Sequence, residues 1–151
     1  MARRVLAAFV IVTFASIAYG QPSGAGGGSG KPPPCNSGVC KLDVTVTDAG
    51  CTDSKNIKVD PDPLLVKKGT PNRIVWTIQT KDYTWVPAPG GITGLPNPPF
   101  HDPHVTGNGK SYDLKDENTE TKPTDHKYAI HLLDPKGKPC AVKDPIIRNG
   151  N

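Results

Sequence analysis

The chain has 151 residues, of which 17 are Pro and 16 are Gly, while Glu occurs only at 117 and 120. That composition excludes a helical bundle, because Gly and Pro are the poorest helix formers, and the length suits one domain. The net charge of +4 is too weak for the concentrated basic face of a nucleic-acid-binding domain.

The first element is a secretory signal over residues 1–20. Arg3 and Arg4 supply a positive start, Val5 to Phe14 is an apolar run broken only by Thr13, and Ala18-Tyr19-Gly20 offers small residues for cleavage before Gln21. Of the first 20 residues 15 are apolar, too short a run to anchor the chain in a membrane. The expectation is an exported protein, periplasmic or secreted, that spans no membrane after cleavage. Residues 21–40 read as a disordered linker. Five of the seven residues from Gly24 to Gly30 are Gly, and Pro32-Pro33-Pro34 then favours an extended polyproline segment.

All four cysteines, Cys35, Cys40, Cys51 and Cys140, fall after the signal. An even count in a small exported domain predicts two disulfides, with three possible pairings. Cys35–Cys40 with Cys51–Cys140 is favoured. The first pair flanks the flexible Asn36-Ser37-Gly38, and the second ties the start of the domain to its end. A two-Cys, two-His zinc site from Cys35, Cys40, His101 and His104 is the alternative.

The domain proper is expected over 41–151. Leu42, Val44 and Val46 alternate with Asp43, Thr45 and Thr47, the period of a half-buried strand. Ile57 and Val59 mark a second strand, and Leu64 to Lys67 a third. Arg73 to Gln79 is the strongest, with Ile74, Trp76 and Ile78 on one face. Tyr83 to Val86 follows, then a Pro/Gly-rich loop over 87–103. Ser111 to Lys115 is a brief strand. Lys127 to Leu133 reads as one strand with Tyr128, Ile130 and Leu132 inward and His131 outward. Cys140 to Val142 and Ile146-Ile147 close the pattern. Seven to eight short strands without a helix predict an all-β, antiparallel Greek-key β-sandwich, cupredoxin-like or immunoglobulin-like. Its core should hold Val44, Val46, Ile57, Leu65, Ile74, Trp76, Ile78, Tyr128, Ile130 and Leu132.

Two segments carry a resemblance to a known family. Ile57 to Trp76 contains a short strand, a proline, Leu64-Leu65-Val66-Lys67-Lys68-Gly69 and then Ile74-Val75-Trp76; Tyr128-Ala129-Ile130 looks like a strand leading to a copper loop. Together they resemble cupredoxins, the small exported copper β-sandwiches of the plastocyanin and azurin type. The resemblance implies the scaffold without electron transfer. A blue-copper site needs two His, a Cys thiolate and usually a weak Met, whereas Leu132 to Gly137 holds no Cys and the only Met is Met1.

Two candidate sites remain. His101-Asp102-Pro103-His104 could hold copper or zinc through its two imidazoles, with His126 or His131 approaching. Tyr83 and Trp85, beside Pro87-Ala88-Pro89, could form a surface for a protein or glycan partner of the cell envelope. The acidic stretch Asp113, Asp116, Glu117 and Glu120 lacks the central Gly of a calcium loop and is expected to be solvated. No catalytic motif occurs. The resulting expectation is a non-catalytic binding or structural module without a required cofactor, with metal handling through His101 and His104 as the alternative.

Overall fold

A computed structural model describes Cys35 and residues 38–68 and 72–150. The expected signal over 1–20 and the linker through residue 34 lie outside the described residues. β1 (Val39–Val46) starts two residues before the expected boundary at 41, so Val39 and Cys40 belong to the sheet.

The strands are β1, β2 (Ile57–Asp60), β3 (Leu64–Leu65), β4 (Asn72–Ile78), β5 (Thr84–Trp85) and β6 (Ile92–Thr93). They continue with β7 (Phe100–Thr106), β8 (Ser111–Asp116), β9 (Thr124–Lys127), β10 (Ala129–Ile130), β11 (Leu132–Leu133) and β12 (Ile146–Asn149). One 3-10 turn, Ser54–Asn56, precedes β2; Asp53 caps it by accepting a hydrogen bond from the Lys55 N–H. The fold is all-β with several sheets, as a β-sandwich requires. Among the described residues no helix is long and apolar enough to cross a membrane.

A five-stranded sheet runs β2-β1-β4-β8-β7. Alternation along β1 buries Cys40, Leu42, Val44 and Val46 and exposes the residues between them. β2 returns antiparallel on one edge of β1, pairing Val44 with Val59 and Val46 with Ile57. β4 joins the other edge of β1 in the same direction, with Leu42 opposite Trp76 and Val44 opposite Ile78. This parallel pair departs from the purely antiparallel expectation. Two intervening strands supply the crossover that parallel neighbours need. A second parallel pair joins β12 to β3.

β7 takes in Phe100 to Pro103, the last four residues of the expected 87–103 loop. Pro103 argues against a strand by removing a backbone donor, but an edge strand with a bulge tolerates it. β7 lies at the sheet edge, its register with β8 slips between His101 and His104, and Asp102 takes φ 54° at that slip. β6 also lies inside the expected 87–103 loop.

Opposite the large sheet stand three small ones: β10 with β6, β11 with β5, and β3-β12-β9. The run expected to be a single strand over 127–133 is divided among all three. The chain stays extended, but the Tyr128 N–H bonds to the Pro145 carbonyl and the His131 N–H to the Gly91 carbonyl. Each step therefore changes partner while alternation keeps Tyr128, Ile130 and Leu132 buried. Residues 140–142 form no strand. Their backbone links Cys140 to Leu132 and Ala141 to Cys51 instead.

All ten expected core residues are buried. The two layers meet through aromatic side chains. Trp76 lies edge-on to Tyr128 with ring centres 5.6 Å apart, and Trp85 is tilted on Tyr112 at 5.3 Å. Gly91 lies flat against Tyr112, where a Cβ would come 2.6 Å from the ring. Both favoured disulfides, Cys35–Cys40 and Cys51–Cys140, are formed.

Candidate functional site

Among the described residues most of the core is apolar, and its polar members are few: Asn72, Asp113, Asp116, Asn118 and Asn149. Four of them gather at one end. On β8 alternation turns Tyr112, Leu114 and Asp116 inward, and Asp116 is the last residue of the strand. It stands opposite Asn72 on β4 and Phe100 on β7, both buried. Past the strand the backbone turns at Asn118, with φ 45°; Asn118 is buried and Glu120 half-buried. Asn149, the last residue of β12, reaches the same place from the other layer.

Hydrogen bonds tie these groups together. Asp116 Oδ1 accepts from the Asn118 N–H at 2.8 Å and from Asn149 Nδ2 at 3.1 Å. The same Asn149 nitrogen lies 3.2 Å from Glu120 Oε2. Glu120 Oε1 is 2.7 Å from His126 Nε2, and the His126 ring meets the Phe100 ring edge-on at 5.0 Å. Asn118 Nδ2 donates to the Lys67 carbonyl, which fastens this corner to the β3–β4 connection. Asp116 Oδ2 and Asn149 Oδ1 are buried without a hydrogen-bond partner. The expectation of a solvated acidic stretch holds for Glu117, which is exposed, and is corrected for the other three: Asp113 and Asp116 are buried, and the Glu120 side chain is only 13% exposed. The missed signal was parity at Asp116, which continues the inward positions of Tyr112 and Leu114; beyond it the backbone turns at Asn118, with φ 45°, and no strand period applies to Glu120.

Burial pushes the Asp116 carboxyl up to about 6, against the Asn118 N–H and Asn149 amide, which pull it down; the nearby Glu120 charge raises it further and His126 lowers it. The folded form thus holds a proton that the unfolded chain releases at the ordinary carboxylate value. Asp116 favours the folded state at pH 4, and that contribution is lost as pH rises through about 6. Two pKa units correspond to about 3 kcal/mol. In chelator-containing buffer, parent stability relative to Asp116→Asn should fall by this order between pH 4 and 7. Parallel pH profiles of unfolding free energy for the two proteins would show that Asp116 does not titrate in this way.

The histidine pair stands on β7. His101 pairs with Lys115 and His104 with Asp113, so the bulge leaves both histidines on one face, two register positions apart. His101 Nε2 is 2.7 Å from Glu117 Oε1 and its Nδ1 3.3 Å from Asp102 Oδ2. The hydrogen bond to Glu117, then that to Asp102, raises the His101 pKa. Lys115 in turn holds Asp102 below the ordinary carboxylate range. His131 lies beside Thr93, with Nε2 2.9 Å from Oγ1. Among the described residues no three of His, Cys, Asp or Glu converge on a common point. With Cys35 and Cys40 oxidised, the two-Cys, two-His zinc arrangement has no thiolates to offer.

The Tyr83–Trp85 surface is corrected as well. Trp85 is 2% exposed, and its indole N–H donates to the Lys110 carbonyl at 3.3 Å. Tyr83 is half-buried against the core. The Lys110 ammonium, donating to the Thr80 and Tyr83 carbonyls, pins this turn to the β7–β8 hairpin. Scarce aromatics in a small core are drawn inward by the area they bury. What remains exposed there is Pro87, Ala88 and Pro89, on the rim of two shallow depressions.

No family model matches the chain, and no curated protein shows significant similarity to it.

Proposed function

We propose that the chain is an exported, non-catalytic module with a cupredoxin-like scaffold, periplasmic or secreted, serving a binding or structural role for a protein or glycan partner of the cell envelope. The observation that carries this reading is the use of its reactive side chains in holding structure. All four cysteines are in disulfides, which suit an oxidising compartment. His101 and His126 are held by carboxylates, and both tryptophans lie in the core. The exposed Pro87-Ala88-Pro89 rim is the part of the expected aromatic surface still open to a partner.

Metal handling by His101 and His104 has one observation in its favour, their common face across the bulge. Against it stands the hold of Glu117 and Asp102 on His101, which favours the protonated ring that cannot bind metal.

Intact mass of the full chain expressed in a bacterial host with an export pathway tests the main reading. The exported fraction should lack residues 1–20 and four hydrogens, one pair for each disulfide. A chain that stays in the reducing compartment with four free thiols would overturn it.

A further inference from the structure

We propose that Asp116, Glu120 and Asn149 are the ligand set of a site for one hard divalent cation of the calcium class, at the polar end of the core. Asp116, the last residue of β8, and Glu120 lie four residues apart on one stretch that turns at Asn118, where φ is 45°. Asn149 comes from β12 and is an independent observation. It is fully buried, it aims its amide between the two carboxylates, and its own Oδ1 has no partner. Asp116 Oδ2 is likewise buried and without a partner.

The imbalance is one of acceptors over donors. Two carboxylates and an amide oxygen share one backbone N–H, one amide nitrogen and one imidazole. An unpaired buried acceptor is costly, and more so when it is charged. A bound cation removes that cost. Turning the Asn149 amide by half a rotation would present Oδ1 where Nδ2 now sits, 3.1 Å from one carboxylate and 3.2 Å from the other. Three oxygen-bearing side chains would then face a common point.

The donor chemistry selects the ion. The ligands are oxygens, the set that calcium takes from carboxylates and Asn carbonyls. Zinc and copper prefer nitrogen and sulfur. The imidazole beside the site, His126, is engaged with Glu120 Oε1.

The test uses the full mature protein, stripped with chelator and titrated with calcium chloride to about 5 mM. Equilibrium dialysis and thermal melting are read in parallel. One calcium should bind per chain, with Kd of about 0.1 to 1 mM, the range of extracellular calcium modules. The melting temperature should rise by several degrees. Glu120→Gln and Asp116→Asn should each weaken binding at least about tenfold. Glu120 lies at the edge of the core, so Glu120→Gln keeps the test readable where Asp116→Asn fails to fold. No calcium bound at about 5 mM by folded parent protein overturns the proposal. So does calcium binding that survives in folded Glu120→Gln, and so does binding of zinc without calcium.

Discussion

Trp76→Ala should lower stability by about 3 to 5 kcal/mol, enough to unfold much of the protein. Trp76 is the largest fully buried side chain, at the centre of the five-stranded sheet. It meets Tyr112 within its own sheet and Tyr128 from the opposite layer, with ring centres at 6.3 and 5.6 Å. Its indole N–H donates to the Tyr128 hydroxyl at 2.8 Å. Alanine would leave a cavity between the layers and remove that donor. Trp76→Phe separates the two contributions. It retains most of the apolar contact and should cost about 1 to 3 kcal/mol, the range for a buried polar group deprived of its partner. Denaturant unfolding of both variants measures the difference. Near-parent stability for Trp76→Ala would place the inter-layer cohesion elsewhere.

The second large effect belongs to the long disulfide. Cys51–Cys140 closes a loop with a sequence separation of 89, and Cys35–Cys40 one of only 5. In the chain-entropy model the long loop contributes about 4 to 5 kcal/mol and the short one about 2. The double variant Cys51→Ser with Cys140→Ser should therefore be far less stable than Cys35→Ser with Cys40→Ser. Several features make the long bridge important here. The apolar fraction of the chain is low, at 35%. The strands of the second layer are mostly two residues long. Small domains with modest cores depend on such cross-links. The bridge also fastens the region before β2 to the segment after β11, where Ala141 N–H bonds to the Cys51 carbonyl. Equal unfolding free energies for the two double variants would contradict this account.

Much of the fold was legible wherever alternation was regular. Leu42, Val44 and Val46, and then Ile74, Trp76 and Ile78, signalled their strands because a half-buried sheet imposes a period of two. The disulfide pairing was legible too, since one pair is close in sequence and the other encloses nearly the whole domain. The candidate sites were less legible. Tyr83 and Trp85, beside prolines, allowed two readings, a partner surface or packing over one end of the sandwich, and a single chain read in order does not show which layer claims an aromatic ring. Asp113, Asp116, Glu117 and Glu120 were expected in solvent because acidic residues usually are, and of these only Glu117 is exposed.

The sequence by itself determined the all-β class, the strands with strict alternation, the apolar core and the two disulfides. These follow from local periodicity and from cysteine number. Only the tertiary structure decided that β4 runs parallel to β1, because strand direction depends on which edge a returning segment finds. It alone made β7 a strand, since a proline is harmless only where an edge and a bulge relieve it of its hydrogen bond. It alone brought Asn149 against Asp116 and Glu120. Residues about thirty positions apart meet there because two layers close over the same end of one core, and proximity across layers leaves no trace in the order of the chain.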